Sequence, residues 1–382
     1  MTESPKRIVV GLSGGVDSAV AALRLVRAGH EVIGLFMKNW EDDDTLMQCS
    51  AEDDIAAAVE VAEHLGIPIR RVNFAVHYRR EVFEQALREL RAGRTPNPDI
   101  LCNRHIKFDR FLHHAREQFA ADAVATGHYA RLGRASDDGP ALLRGFDPDK
   151  DQSYFLAGVS RTALDTVRFP LGDSTKETIR EEARSAGLPN FDRPDSTGIC
   201  FIGERDFTRF LQRYIDLDPG PILTEDGREI GRHQGLAFYT LGQRRGLGIG
   251  GDPDHGAAPW YVADKVAHRN ALLVVQGHDH PWLQSAAVET GPFHWLAPIP
   301  AEGARLQAQV RYRQRPQAGA VAHTDDGGVL FRFDEPQRAA TPGQYLVLYD
   351  DDQCLGGAAI AAAHPADRGN PPTLQTHPTE VV

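Results

Sequence analysis

The sequence predicts an α/β protein in three folded parts. A Rossmann-like parallel-sheet domain over residues 1–208 is followed by a small β-rich central domain over 209–285 and a C-terminal β-barrel-like domain over 286–365, with a disordered tail at 366–382. Three observations predict this. Apolar runs alternate with helical periods through the first 200 residues; after about residue 208 the texture changes to short apolar runs punctuated by Gly, Pro and Asp; and the last stretch, "HPADRGNPPTLQTHPTEVV", is polar and proline-rich.

Taken in order, "RIVVGL" reads as a strand, and Ala19, Ala22, Leu23 and Val26 at i, i+3, i+4, i+7 read as the helix behind it. "EVIGLFM", "AEDDIAAAVEVAEHLG" and "IRRVNF" repeat the alternation as strand, helix and strand. A further helical face of Phe108, Phe111, Leu112, Ala115 and Phe119 leads into "DAVATGHYA", a short strand that ends in a loop. Open parallel sheets bind ligands beyond the carboxyl ends of their strands, which is where "SGGVDS" and "TGHYA" both fall. In the remainder, "PGP", "EDG", "GLGIGG", "DPDHG" and "DDGG" separate short strands such as "RLQAQVRYRQ", "GGVLFRFDEP", "QYLVLYDDDQ" and "CLGGAAIAA". There is no internal repeat.

Composition narrows the class. At 382 residues, 41% hydrophobic and 25% charged, the chain can bury a sizeable core. The start lacks an apolar signal region and no 18 apolar residues run together, so a soluble, cytoplasmic protein with no membrane partner is expected. Its four cysteines, Cys49, Cys102, Cys200 and Cys354, are too few and scattered for a disulfide framework, and no CxxC pair suggests zinc. The net charge of -11 argues against a general nucleic-acid coat. Acids nevertheless cluster at 41–44 and 350–352, whereas Arg305–Arg315 holds four arginines and no acid, so a local basic surface survives.

"GLSGGVDS" at 11–18, between strand and helix, has the makings of a phosphate cradle: glycines let successive amides point at an anion, and the helix adds its positive end. It lacks the lysine of GxxxxGK[ST] and the spacing of the dinucleotide fingerprint. The motif resembles the PP-loop, SGGxDS, of ATP pyrophosphatases, which implies an ATP site at Gly11, Leu12, Ser13, Gly14, Gly15, Val16, Asp17 and Ser18. In that resemblance Asp17 helps to hold Mg2+, and Ser13 and Ser18 hold phosphate. The plain alternative is a tight turn. "GLGIGG" at 246–251 fits GxGxxG by letter but is followed by "DPDHGAAPW", which cannot start a helix, and reads as a loop.

Cys102 lies in "TPNPDILCNRHIKF", where Pro96 and Pro98 stop a preceding helix and Pro98 can open the next. Asp99 and Cys102 then share one face near a helix N-terminus, a position that lowers a thiol's pKa. Cys200 follows the turn-forming run "RPDSTG", a setting that exposes a thiol. Cys49 and Cys354 read as buried small hydrophobes.

"GLSGGVDS", "MKNW", "GRTPNPDILCN", "TGHYAR", "KDQSYFL", "DSTGICFIGERDF", "YTLGQRRGLGIGG", "RYRQ" and "TPGQY" occur here in an order similar to that of the bacterial tRNA-specific 2-thiouridylase (MnmA/TrmU) family. The resemblance runs from residue 7 to about 362. It implies an ATP-dependent sulfurtransferase that adenylates the 2-oxygen of the wobble uridine (position 34) of the tRNAs for Lys, Glu and Gln and installs sulfur there. ATP would bind at 11–18 with Met37 and Gly127 near the adenosine. Cys200 would carry a persulfide loaded by a sulfur donor protein, a cysteine desulfurase or a relay protein. Cys102 would resolve the intermediate through a Cys102–Cys200 disulfide or release sulfide, and Asp99 would be a general acid/base, with a helix-capping carboxylate as its plain alternative. Asn97, Pro98 and Asp99 would meet the flipped base. His128, Lys150, Asp151, Gln152, Arg311, Tyr312 and Gln344 would contact tRNA, with a sheet edge protected by charge as the plain alternative for "RYRQR". A monomer is the simplest assembly.

Three rivals stand beside this. A PP-loop ligase acting on a small metabolite would make the cysteines incidental. A tRNA-binding sulfur carrier without ATPase activity would not need an intact "SGGVDS". An iron–sulfur cluster on Asp99, Cys102 and Cys200 has a thin ligand set beside persulfide chemistry.

Overall fold

The computed structural model describes residues 4–41, 45–195, 210–249 and 258–366. Cys200, the end of "GLGIGG" and the tail beyond 366 lie outside the described residues.

In chain order the first part runs β1 (Arg7–Gly11), α1 (Val16–Arg27), β2 (Glu31–Lys38), α2 (Thr45–Leu65), β3 (Ile69–Asn73), α3 (Ala75–Tyr78), α4 (Glu84–Arg91), α5 (Pro98–Cys102), α6 (Phe111–Phe119), β4 (Ala123–Ala125), β5 (Ala130–Arg134), β6 (Pro140–Arg144), α7 (Ser153–Leu156), α8 (Arg161–Leu164), β7 (Val167–Arg168) and α9 (Lys176–Ser185). β1, β2, β3, β4 and β7 form one sheet in the order β3-β2-β1-β4-β7, all parallel. The chain moves outward from β1 to β2 and β3 on one side and to β4 and β7 on the other. The gap between β1 and β4 is therefore the topological switch point.

Period-two alternation in β1 builds the core on both faces. Ile8 and Val10 pack with Val20, Leu23 and Val61 of α1 and α2, whereas Val9 packs with Ile100, Cys102, Ile106 and Phe111 on the other face. Local signals fix the helices. α1 carries Asp17 in its first turn and Arg24 and Arg27 in its last, complementing the helix dipole, and α9 is capped by Thr175, whose side chain accepts from the Thr178 amide.

Two features depart from the periodicity. Between α5 and α6 the chain passes through a π-helical segment, Asn103–Arg110, and Phe108 sits at its kink with φ -110° and ψ 18°. The expected face therefore starts at Phe111, and Phe108 turns toward His128 and Phe169. The second concerns β5 and β6. This hairpin leaves the parallel sheet and pairs through Leu142 and Leu143 with a strand near the C-terminus, so the first part contributes two strands to the C-terminal sheet.

The central part is a four-stranded sheet of β8 (Gly220–Leu223), β9 (Glu229–His233), β10 (Trp260–Val266) and β11 (Ala271–Gln276), ordered β10-β11-β8-β9. The C-terminal part comprises β12 (Gln284–Thr290), β13 (His294–Trp295), β14 (Arg305–Gln309), β15 (Gln317–His323), β16 (Val329–Arg338), β17 (Tyr345–Asp350) and β18 (Gln353–Pro365). The path β12-β16-β15-β14-β17-β18 closes because β12 also pairs with β18, making an antiparallel barrel around Val288, Phe331, Leu346 and Leu348. No helix among the described residues is long and apolar enough to cross a membrane.

Candidate active site at the carboxyl edge of the parallel sheet

Loop 11–18 organises itself. The Ser18 hydroxyl donates to the Gly15 carbonyl at 3.0 Å, accepts from the Ser13 amide at 3.2 Å and lies 3.2 Å from the Ser13 hydroxyl. Gly15 is the N-cap of α1 and brings no side chain to its first-turn amides, which suits an anion. Leu12 and Val16 are buried in the core and give the loop only their backbones. The Met37 methyl group and the Phe111 ring both approach Gly11 from neighbouring elements. Gly127, in the loop after β4, lies so close to α1 that a Cβ there would stand 2.8 Å from the Asp17 carbonyl carbon. Only glycine lets the two loops meet.

Asp17 is the hub. Its Oδ1 accepts from the Tyr129 hydroxyl at 2.8 Å and from Lys176 Nζ at 2.7 Å. Lys176 also reaches Asp195 Oδ1 at 2.7 Å, while Lys150 donates to Asp195 Oδ2 at 2.8 Å and Arg180 to Oδ1 at 2.6 Å. Partial burial works against the Asp195 carboxylate, but hydrogen bonds from Lys150 and Lys176 outweigh it and hold its carboxyl far below the usual carboxylate range. Burial, reinforced by the Asp17 charge, keeps the Tyr129 phenol protonated as a donor. On the loop's other side Asn190 Nδ2 and Arg193 Nη1 donate to the Gly14 carbonyl at 2.8 and 3.1 Å, and Arg193 pairs with Asp54 at 2.5 Å.

Tyr129, Lys176, Arg180, Asn190, Arg193 and Asp195 were not singled out from the sequence. The available signal was "STKETIR", a Ser/Thr N-cap with a lysine in the first turn. Only the fold brings it to Asp17.

α5 is built as its prolines dictate. Asn97 is the N-cap, its Oδ1 accepting from the Ile100 amide at 3.3 Å, and Pro98 occupies the first turn. Asp99 is half-buried. Cys102 is 0% exposed, in the core cluster with Val9 and Ile100: its place near the start of α5 does not bring the thiol to solvent, because α5 turns that side onto the sheet. Cys354 is also buried, and burial pushes its thiol up to about 12, an inert core residue as expected.

The residues expected to meet tRNA divide sharply. Arg311 is exposed, and Tyr312 is half-buried with its ring 4.3 Å from that of Phe155. Lys150 faces Asp195. His128 is buried, its Nδ1 2.7 Å from the Thr126 hydroxyl; burial, with a smaller contribution from Lys107, pushes its pKa well down, so it is a neutral ring and not a phosphate-binding cation. Asp151 accepts from the amides of Gly145 and Ser153 and from the Ser153 hydroxyl. Gln152 Oε1 accepts from the Tyr129 amide at 3.0 Å. Gln344 Nε2 donates to the carbonyls of Thr95 and Pro96 at 3.1 and 3.2 Å. In this conformation Asp151, Gln152 and Gln344 hold loops of the protein itself.

Residues 6–204 match the family described as tRNA methyl transferase HUP domain, 208–276 the tRNA methyl transferase PRC-barrel domain, and 285–360 the Aminomethyltransferase beta-barrel domain. The tRNA-specific 2-thiouridylase MnmA of Halorhodospira halophila is 84% identical over 383 aligned positions, covering 100% of both chains. The chain belongs to the tRNA-specific 2-thiouridylase family. Two further thiouridylases, from Alkalilimnicola ehrlichii and Paracidovorax citrulli, are 57% and 53% identical over 94% and 96% of this chain and 99% of each relative. The domain descriptions use the words methyl transferase, but the full-length relatives are named thiouridylases, and the match to this 2-thiouridylase family spans all three parts of the fold.

Proposed function

We propose that this chain uses ATP to replace the 2-oxygen of the wobble uridine (position 34) in the tRNAs for Lys, Glu and Gln with sulfur from a persulfide on Cys200. The observation that carries the reading is the union of two elements at one place: the phosphate loop leaves β1, and the helix that presents Asp99 and Cys102 packs against Val9 of that same strand. A small-metabolite ligase is disfavoured, because full-length kinship includes the central sheet and barrel that such an enzyme would not need.

A carbonyl oxygen of a pyrimidine is a poor leaving group, and ATP converts it into an adenylate. Loop amides and the end of α1 would hold the phosphates, and Lys176 would offer them a cation. Asp17 in the first turn of α1, beside Ser13 and Ser18, is a hard oxygen donor set that suits Mg2+, which would neutralise phosphate charge when bound. The uridine oxygen attacks the α-phosphorus and pyrophosphate leaves. The terminal sulfur of the Cys200 persulfide then attacks C2, displacing AMP. Cys102 attacks the Cys200 sulfur, which leaves a Cys102–Cys200 disulfide for an external thiol to reduce and frees the thiolated base; release of sulfide is the other route. Asp99 would shuttle the proton at this step. Arg311 and Tyr312 present a cation and a ring to the tRNA backbone and bases. A cysteine desulfurase or a relay protein supplies the sulfur, and the enzyme acts as a cytoplasmic monomer.

Pyrophosphate release assayed with each tRNA tests the substrate. Release that depends on unmodified lysine tRNA supports the reading; release that ignores tRNA but requires an amine or carboxylate contradicts it.

A further inference from the structure

The loop that leads into α5 cannot satisfy itself. In Gly93-Arg94-Thr95-Pro96-Asn97-Pro98, the amide that would close a turn onto the Thr95 carbonyl is missing because residue 98 is proline, and the Pro96 carbonyl follows directly beside it. Those carbonyls find their donor in another part of the fold. Gln344, one residue before β17, donates to both through Nε2 at 3.1 and 3.2 Å. The Thr95 amide in turn donates to the Pro342 carbonyl at 2.9 Å. The approach is close enough that Gly343 has φ +92°, and a Cβ there would stand 2.8 Å from the Thr95 nitrogen.

The central part adds a second hold, since Lys265 Nζ donates to the Gly93 carbonyl at 3.1 Å. The far end of α5 is tied to the barrel as well. Asn103 Nδ2 donates to the Phe155 carbonyl at 3.0 Å, the Phe155 ring packs at a tilt against that of Tyr312, and the neighbouring Tyr154 hydroxyl donates to the Tyr345 carbonyl at 3.0 Å. Both ends of the short helix that carries Asp99 and Cys102 are therefore referenced to the barrel.

We propose that Gln344 is a positioning residue, a strut by which the barrel sets the start of α5 so that Asn97, Pro98 and Asp99 stand ready for the target base. This rests on the thiolation reading above, and it differs from a direct tRNA contact in what it predicts. A tRNA contact acts on affinity. A strut acts on the rate once tRNA is bound, and on the mobility of α5 before it binds.

The test uses the full chain with Gln344→Met, which keeps length and removes the donor, and Lys265→Met as a second variant at the same loop. Hydrogen exchange is followed at residues 99–103 in the free protein, together with tRNA affinity by gel shift and pyrophosphate release in a single turnover at saturating tRNA and ATP. Exchange at least tenfold faster, with a single-turnover rate at least tenfold slower and tRNA affinity within threefold of the parent, supports the strut. Unchanged exchange, an unchanged saturating rate, or a loss confined to tRNA affinity overturns it. If Gln344→Met fails to fold, Lys265→Met is judged by the same criteria. If the parent protein releases no pyrophosphate with any tRNA, the thiolation reading is what fails, while the exchange data still report whether the barrel holds α5.

Discussion

The hydroxyl of Tyr129 donates to Asp17 Oδ1 at 2.8 Å, joining the loop after β4 to the first turn of α1 across the switch point. Lys176 donates to the same oxygen at 2.7 Å from α9. Three separate stretches of sequence thus meet at one carboxylate, and the side chain that supplies the cation was the one without a motif of its own.

Lys176→Met should weaken ATP use. A charge-assisted hydrogen bond is worth about 1.5–3 kcal/mol, so kcat/KM for ATP should fall roughly 10- to 100-fold. Gel-shift affinity for tRNA should stay within about threefold, because the basic residues Arg311 and Arg313 that face solvent are on a different part of the fold. An unchanged KM for ATP would remove Lys176 from the phosphate site.

Asn97→Ala should cost about 1 kcal/mol of stability through loss of the α5 cap. Turnover should suffer more than stability, since the capped turn also presents Asp99. Thermal melting read beside single-turnover thiolation separates the two. A variant that melts lower yet thiolates at the parental rate would leave α5 with a purely structural role.

Much of this was legible in the chain and some was not. The loop 11–18, the order of strands and helices, and the proline-opened α5 follow from local residue chemistry, so "SGGVDS" and "TPNPD" declare themselves. Burial of Cys102 does not, because it depends on which face of α5 meets Val9. Nor do the fates of Asp151, Gln152 and Gln344, whose partners are chosen by loop closure and by docking of the barrel. The β5–β6 hairpin joins strands that lie some two hundred residues apart in the chain, a contact to which periodicity is blind.

His128 should make the protein acid-sensitive. Its folded pKa lies well below 6.5 through burial, so below pH 6.5 the unfolded chain takes up a proton that the folded chain refuses. Stability from this residue is full above pH 6.5 and is lost as pH falls toward the folded value, at up to about 1.4 kcal/mol per pH unit. His128→Gln should therefore narrow its deficit relative to the parent between pH 7.5 and 5.5 in thermal melts. A deficit independent of pH would show that the ring binds its proton alike in the folded and unfolded chain, and a deficit that widens on acidification would show that it is charged in the fold.

Cys102 and Cys354 should resist iodoacetamide in the free protein, since both are 0% exposed. With tRNA and ATP added, Cys102 should become at least tenfold more reactive as the base enters and α5 yields, whereas Cys354 stays protected. Mass spectrometry of the labelled peptides reads both. Equal protection of Cys102 in every state would argue against its attack on a second sulfur.

The most direct measurement is a single-turnover reaction of unmodified lysine tRNA with ATP, Mg2+ and a labelled persulfide donor, resolved on a mercury-containing gel, with Cys200→Ser and Cys102→Ser run alongside. The account predicts a retarded, labelled tRNA band with the parent protein, no band with Cys200→Ser although its tRNA affinity is retained, and strongly reduced product with Cys102→Ser. A retarded band of parental intensity from Cys200→Ser would contradict it.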